Sequence, residues 1–163
     1  MKFKKIKSKK EISDKENGYL IDANEKEVRR IIDALKGKEK IIAVLGRDDE
    51  FNRRMLEKTK IDYLVSPERR HVKDSLKQRD SGLNHVLAKI AKEKGIGIVV
   101  DFNSLMKMEK MERARSIARI MQNVKICRRA GCKIKILGDE KAGKSFLYSI
   151  GASSQQVKNS SLV

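Results

Sequence analysis

Five short and almost uninterrupted apolar runs, at residues 19–22, 41–45, 61–65, 96–101 and 132–137, recur along the chain with amphipathic helical patterns between them. Runs of that length, apolar at successive rather than alternate positions, suit strands of a parallel sheet covered on both faces. The segments between them read as helices. From about residue 25, Val28, Ile31, Ile32 and Leu35 share one face. Asn24 and Glu27 form a capping-box-like pair at its start, and Gly37 marks its stop. Further helices are predicted near residues 49–59, over 82–94, along a basic stretch ending near Gly131, and over 143–150 before Gly151. Repeated βα units with right-handed crossovers make an α/β domain. Periodicity does not choose between an open doubly wound sheet and a barrel. Five runs favour the open sheet, because a full eight-unit barrel needs about 200 residues or more and this chain has 163. The expected organisation is one domain over residues 16–151. A basic segment, 1–15, precedes it, in which Phe3 and Ile6 could form an edge strand. A polar tail, 152–163, follows, and both ends are expected to be weakly anchored.

Charge narrows the partner. Lys and Arg number 39 against 22 acidic residues, a formal charge of +17. A Lys/Glu-rich surface of the thermophile kind explains many charges but not so large an excess of one sign, so a polyanion, first of all a nucleic acid, is expected. Four Phe, three Tyr and no Trp leave few rings for stacking bases, which points to electrostatic recognition of folded RNA or duplex backbone. No apolar run approaches the length of a membrane span and nothing resembles a signal peptide, so no membrane partner and a cytoplasmic location are expected. Cys127 and Cys132 lack the further Cys or His spacing of a zinc site, and a reducing compartment is the default.

In α/β folds functional groups gather beyond the C-terminal ends of the strands. After Val65 comes an unusually long connection, residues 66–81, with the only proline and with Arg69, Arg70, His71, Lys73, Lys77 and Arg79 against Glu68, Asp74 and Asp80. It leads into the 82–94 helix, with Ser81 as the expected N-cap and Leu83, Val86, Leu87, Ile90 and Ala91 on the apolar face. His85, Lys89 and Lys92 lie off that face. Residues 107–135 hold ten basic side chains against Glu109 and Glu112, about half of the excess charge. There Ile117, Ile120, Met121 and Val124 are expected to be buried, with Arg115 and Arg119 outward and Arg128 and Arg129 beside them.

The run Arg79-Asp80-Ser81-Gly82-Leu83-Asn84-His85-Val86-Leu87-Ala88-Lys89 resembles the signature of the archaeal ribonuclease P protein component 3 family, relatives of a subunit of the eukaryotic nuclear enzyme. The similarity extends over about residues 19–151. Gln78 departs from it, standing where members often carry a basic residue. The resemblance implies a TIM-barrel-like fold, here reduced or incomplete, with parallel strands and helices outside. It implies a basic accessory subunit of the RNA-based endoribonuclease that removes the 5′ leader of precursor tRNA, with catalysis and magnesium belonging to the RNA and no cofactor in this chain. It further implies association with ribonuclease P RNA, with precursor tRNA through the holoenzyme, and with protein component 2 in a two-plus-two heterotetramer. The expected RNA contacts are Arg69, Arg70, Lys77, Arg79, His85, Lys89, Arg115 and Arg119, none of them catalytic.

Two other readings compete. Gly138-Asp139-Glu140-Lys141-Ala142-Gly143-Lys144-Ser145 matches the P-loop pattern, in which Lys144 and Ser145 would meet phosphate and magnesium. Against it, only eighteen residues follow Ser145, too few for the later strand that supplies a magnesium-binding aspartate. Asp101 is the one tempting substitute. A general RNA-binding protein of the same fold is the blander alternative. A metal-dependent phosphoesterase is weak, with His71 and His85 the only histidines.

Overall fold

The computed structural model describes residues 3–69 and 80–162. Within them lie strands β1 (Lys4–Ile6), β2 (Gly18–Ile21), β3 (Ile41–Leu45), β4 (Tyr63–Val65), β5 (Gly97–Asp101) and β6 (Ile134–Leu137). The helices are α1 (Glu25–Leu35), α2 (Asp49–Lys58), α3 (His85–Glu93), α4 (Phe102–Lys107), α5 (Lys110–Ala130), α6 (Glu140–Ser149) and α7 (Ser154–Lys158). The six strands pair in the order β1-β2-β3-β4-β5-β6, every pair parallel. A doubly wound sheet would reverse its strand order at a switch point. This sheet never does, so it is wound in one direction, as a TIM-type barrel is, with six strands where a closed barrel has eight.

Side-chain alternation separates the two faces. Ile6, Tyr19, Ile21, Val44, Leu64 and Ile98 face the helices and form a core with α1, α2, α3 and Cys127 of α5. Val100, Ile134 and Ile136 continue that layer with α4, α5, α6 and α7. The opposite face carries Leu20, Ala43, Leu45, Val65 and Val99, against Phe3, Tyr63, Leu137 and Leu162, with no helical residue among them. That is the concave, barrel-interior face.

Both ends of the described residues are tied in. Residues Lys4–Ile6 pair with β2, and the last residues are better anchored than their polarity suggests. The amide of Ile136 donates to the Ser160 carbonyl (2.8 Å), giving the outer edge of β6 a partner. Lys135, on the concave face, donates to the Ser161 carbonyl (2.7 Å), and burial lowers its pKa. Apolar patterning cannot register such contacts, because they are made by backbone groups. Cys127 and Cys132 are free and buried.

Helix starts were partly legible. Asn24 accepts from the Glu27 amide (3.0 Å) as expected, but Glu27 turns its carboxylate to the Lys9 amide (3.1 Å) rather than closing the box. The α3 boundary needs correcting. Asn84, not Ser81, is the N-cap, accepting from the Leu87 amide (2.9 Å). Gly82 has φ +71° and lies outside the helix. The helix therefore begins at His85, its buried face is Leu87, Ala88 and Ala91, and Val86 stays 50% exposed.

Candidate nucleic-acid interface

At the C-terminal rim of the sheet, β4 is followed by Ser66, whose φ of +48° is unusual for a residue with a side chain. The sharp turn sends residues 67–69 across the rim toward the returning segment 80–83. The two ends of the long connection meet there in a neck. Asn52 of α2, fully buried, clamps it: its Nδ2 donates to the carbonyls of Pro67 (3.4 Å), Gly82 (3.2 Å) and Arg47 (3.3 Å), while its Oδ1 accepts from the Arg47 amide (2.8 Å). From the other side, α5 holds the neck through two polar side chains. Arg119 donates to the Glu68 carbonyl (3.3 Å) and Asn123 to the Ser81 carbonyl (3.1 Å).

These clamps correct the outward placement of Arg119. It is 4% exposed, and the buried face of α5 is Ser116, Arg119, Ile120, Asn123, Val124 and Cys127, with Met121 turned outward. Apolar residues mark a buried helix face only where the facing surface is apolar. Here the upper part of α5 packs on loop backbone, which wants donors.

Glu68 is buried beside the same clamp. Burial pushes its carboxyl up to about 7, and the nearby Asp101 charge adds to the shift, against lowering contributions from its own backbone, the Ser66 hydroxyl and Arg119. Asp101 caps α4 through the Ser104 amide (2.9 Å) and hydroxyl (2.6 Å). On the other flank of the rim, Asp22 pairs with Lys5 (2.9 Å) and Arg47 (3.2 Å). Burial would raise the Asp22 pKa, but the hydrogen bond from Lys5 and the charges of Lys5 and Arg47 prevail and hold it low. Arg47 also lies over the Phe51 ring, 5.7 Å from its centroid. Among the described residues no group of three or more His, Cys, Asp or Glu side chains is placed to hold a metal ion, and no helix is long and apolar enough to cross a membrane.

Of the expected contact residues, Arg69 is exposed on the neck, His85 is exposed in the first turn of α3, Lys89 is exposed one turn below it, and Arg115 is exposed on α5. Arg119 is internal. Arg70, Lys77 and Arg79 lie outside the described residues. Sequence reasoning missed Asn52, Asn123 and the burial of Glu68. Asn52 and Glu68 lie in polar stretches and Asn123 beside an apolar stripe, and nothing in spacing distinguishes any of them from a solvated residue.

No protein-family model matches the chain. Curated relatives do. Ribonuclease P protein component 3 of Methanococcus maripaludis is 28% identical over 129 residues, 79% of this chain and 51% of that protein. The Methanocaldococcus jannaschii protein of the same name is 29% identical over 114 residues, 70% of this chain and 46% of its own length. This chain is similar to archaeal ribonuclease P protein component 3. It spans about half the length of the relatives it matches. A chain in the cryo-EM structure of archaeal ribonuclease P with mature tRNA superimposes with a TM-score of 0.68, at 24% identity, over 87% of this chain and 62% of that one. A crystal structure of an amidohydrolase superimposes with a TM-score of 0.55 at 14% identity, over 82% of this chain. The superposition on the archaeal ribonuclease P chain and the single-direction winding are consistent with one fold.

The P-loop pattern is not a phosphate cradle in this setting. Asp139 caps α6 through the Ala142 amide (2.9 Å), and the Gly143 amide donates to the Asp139 carbonyl (2.9 Å). Lys144 pairs with Glu140 one turn back (2.6 Å) and Ser145 donates to the Lys141 carbonyl (3.1 Å). The Ala142 and Gly143 amides, the Lys144 ammonium and the Ser145 hydroxyl, which would meet phosphate and magnesium, are used within the helix itself.

Proposed function

We propose that this chain is a protein subunit of ribonuclease P, the RNA-based endoribonuclease that removes the 5′ leader of precursor tRNA, and that it binds and stabilises the catalytic RNA. The observation that carries this reading is the relationship to ribonuclease P protein component 3 along about four-fifths of the chain. The net charge of +17 suits the role. In this reading Arg69, Arg70, Lys77, Arg79, His85, Lys89 and Arg115 meet RNA phosphates, releasing counterions and setting orientation. Arg119 supports them from beneath by holding the neck. Cleavage chemistry and its magnesium ions belong to the RNA. Protein component 2 is the proposed protein partner, in a two-plus-two assembly, and the cytoplasm the proposed compartment.

The test is 5′-leader cleavage of precursor tRNA by the cognate ribonuclease P RNA with component 2, with and without this chain, at low magnesium. Stimulation is expected, because neutralising phosphates substitutes for part of the magnesium requirement of RNA folding. Absence of stimulation from partners shown to be competent would overturn the reading.

A further inference from the structure

At the end of the sheet away from the neck, where α1, α2 and α3 finish and β3 and β5 begin, a cavity of about 810 Å³ opens. Its size is within the range of small-ligand sites, about 300–1,000 Å³. Its lining divides by chemistry. Ile32, Ile42, Ile61 and Ile96 provide an apolar wall, while six cationic side chains stand against Asp33 and Asp62.

Helix C-termini gather cations through their unsatisfied carbonyls, and that explains part of the cluster. Lys94 donates to the Glu57 carbonyl near the end of α2. Arg29 is paired with Glu25 (2.8 Å) and Lys38 with Asp14 (2.7 Å). Asp62 is engaged as well, accepting from the Ile42 amide (2.7 Å). Lys36, the C-cap of α1, Lys58, in the last turn of α2, and Lys60 remain. All three are exposed, and among the described residues none has a carboxylate within ion-pair distance. Lys60 lies beyond α2, so the helix end does not account for it.

Three unpaired ammonium groups around an apolar concavity fit a ligand that carries regularly spaced negative charge and flat apolar faces. An acidic peptide shares the first property only. A base can enter a concavity only when it is unpaired. We propose that this cavity takes a single-stranded ribonucleotide segment, with phosphates on Lys36, Lys58 and Lys60 and a base against the isoleucine wall. No aromatic ring lines the cavity, so the base is held by aliphatic packing without stacking and the phosphate contacts carry most of the affinity. The proposal rests on the reading of the chain as an RNA-binding subunit, but it uses the opposite end of the sheet from the neck.

The test is fluorescence anisotropy of a labelled oligouridylate titrated with the full chain across a salt series. The variants are Lys36→Glu/Lys58→Glu/Lys60→Glu and a charge-matched control, Lys26→Glu/Lys141→Glu/Lys158→Glu, all on exposed side chains. Each single-strand phosphate contact contributes about 0.7 to the slope of log affinity against log salt. The cavity variant is therefore expected to flatten that slope by about two and to weaken binding by about tenfold or more at physiological salt. The control is expected to lose much less. Equal loss in the two variants would overturn the proposal, as would an acidic peptide that displaces the oligonucleotide from the wild type but not from the control. Binding to the cognate structured RNA, measured alongside, separates the two readings. Failure of the subunit reading appears as weak binding of that RNA by the wild type. Failure of the cavity alone leaves that binding intact.

Discussion

Gly82 sits at φ +71°, and a β-carbon there would fall inside contact distance of the Pro67 carbonyl oxygen. The residue therefore meets two demands, a left-handed backbone and close passage of two chain segments. Gly82→Ala is expected to cost at least about 2 kcal/mol, because strain and displacement of the neck act together. A fall in the urea midpoint without a change in slope would register it. At the same neck Glu68 introduces a pH dependence. Its folded pKa of about 7 lies above the ordinary 4.5, so the folded state holds the proton more tightly than the unfolded chain. The stabilisation from that proton is complete below about 4.5 and lost as pH rises toward about 7. Wild-type melting temperature should fall across that window, and Glu68→Gln, neutral at every pH, should remove this component of the fall. Identical pH profiles for the two proteins would refute the assignment.

Among the elements, α5 separates two arginines that sequence treats alike. Arg115 is exposed, whereas Arg119 is buried with a donor on the Glu68 carbonyl. Arg119→Ala is expected to destabilise by about 3 kcal/mol, since it strands a buried carbonyl beside an ionisable Glu68. Arg115→Ala should change stability by no more than about 0.5 kcal/mol while weakening binding to the cognate RNA in a salt-dependent way. Urea melts paired with RNA titrations check both. The opposite assignment, a destabilising Arg115 and a neutral Arg119, would mean that α5 is rotated from the position described. The misplaced face has a definite origin. Reading Ile117, Ile120, Met121 and Val124 as the stripe assumed an apolar neighbour, yet Arg119 and Asn123 face a loop whose carbonyls need donors, and Ser116 turns to the Met108 sulfur. At α3 the error is smaller and of another kind: two polar residues three positions apart, Ser81 and Asn84, both suit an N-cap, and the left-handed Gly82 between them excludes the first.

For the molecule as a whole, the α/β class and the parallel pairing were legible, because near-continuous apolar runs separated by amphipathic helices leave few alternatives. The excess of positive charge and the run from Arg79 to Lys89 were legible too, and led to the component 3 relationship that the curated relatives bear out. Pattern could not choose between an open sheet and a barrel section, since both satisfy the same periodicity; the unbroken order β1 to β6 decides it. The anchoring of residues 159–162 along β6 was equally invisible, being a matter of backbone hydrogen bonds and one lysine. By itself the sequence determined five of the six strands, the main helices and what kind of partner they suit, because local periodicity and net charge are properties of the chain. It did not mark α7 or the break between α4 and α5, and it marked β1 only through Phe3 and Ile6. Tertiary structure alone decided which polar groups are interior, how the neck is held and where the unpaired lysines gather. Those outcomes depend on which distant segments face one another, and the composition of a segment does not record its neighbour.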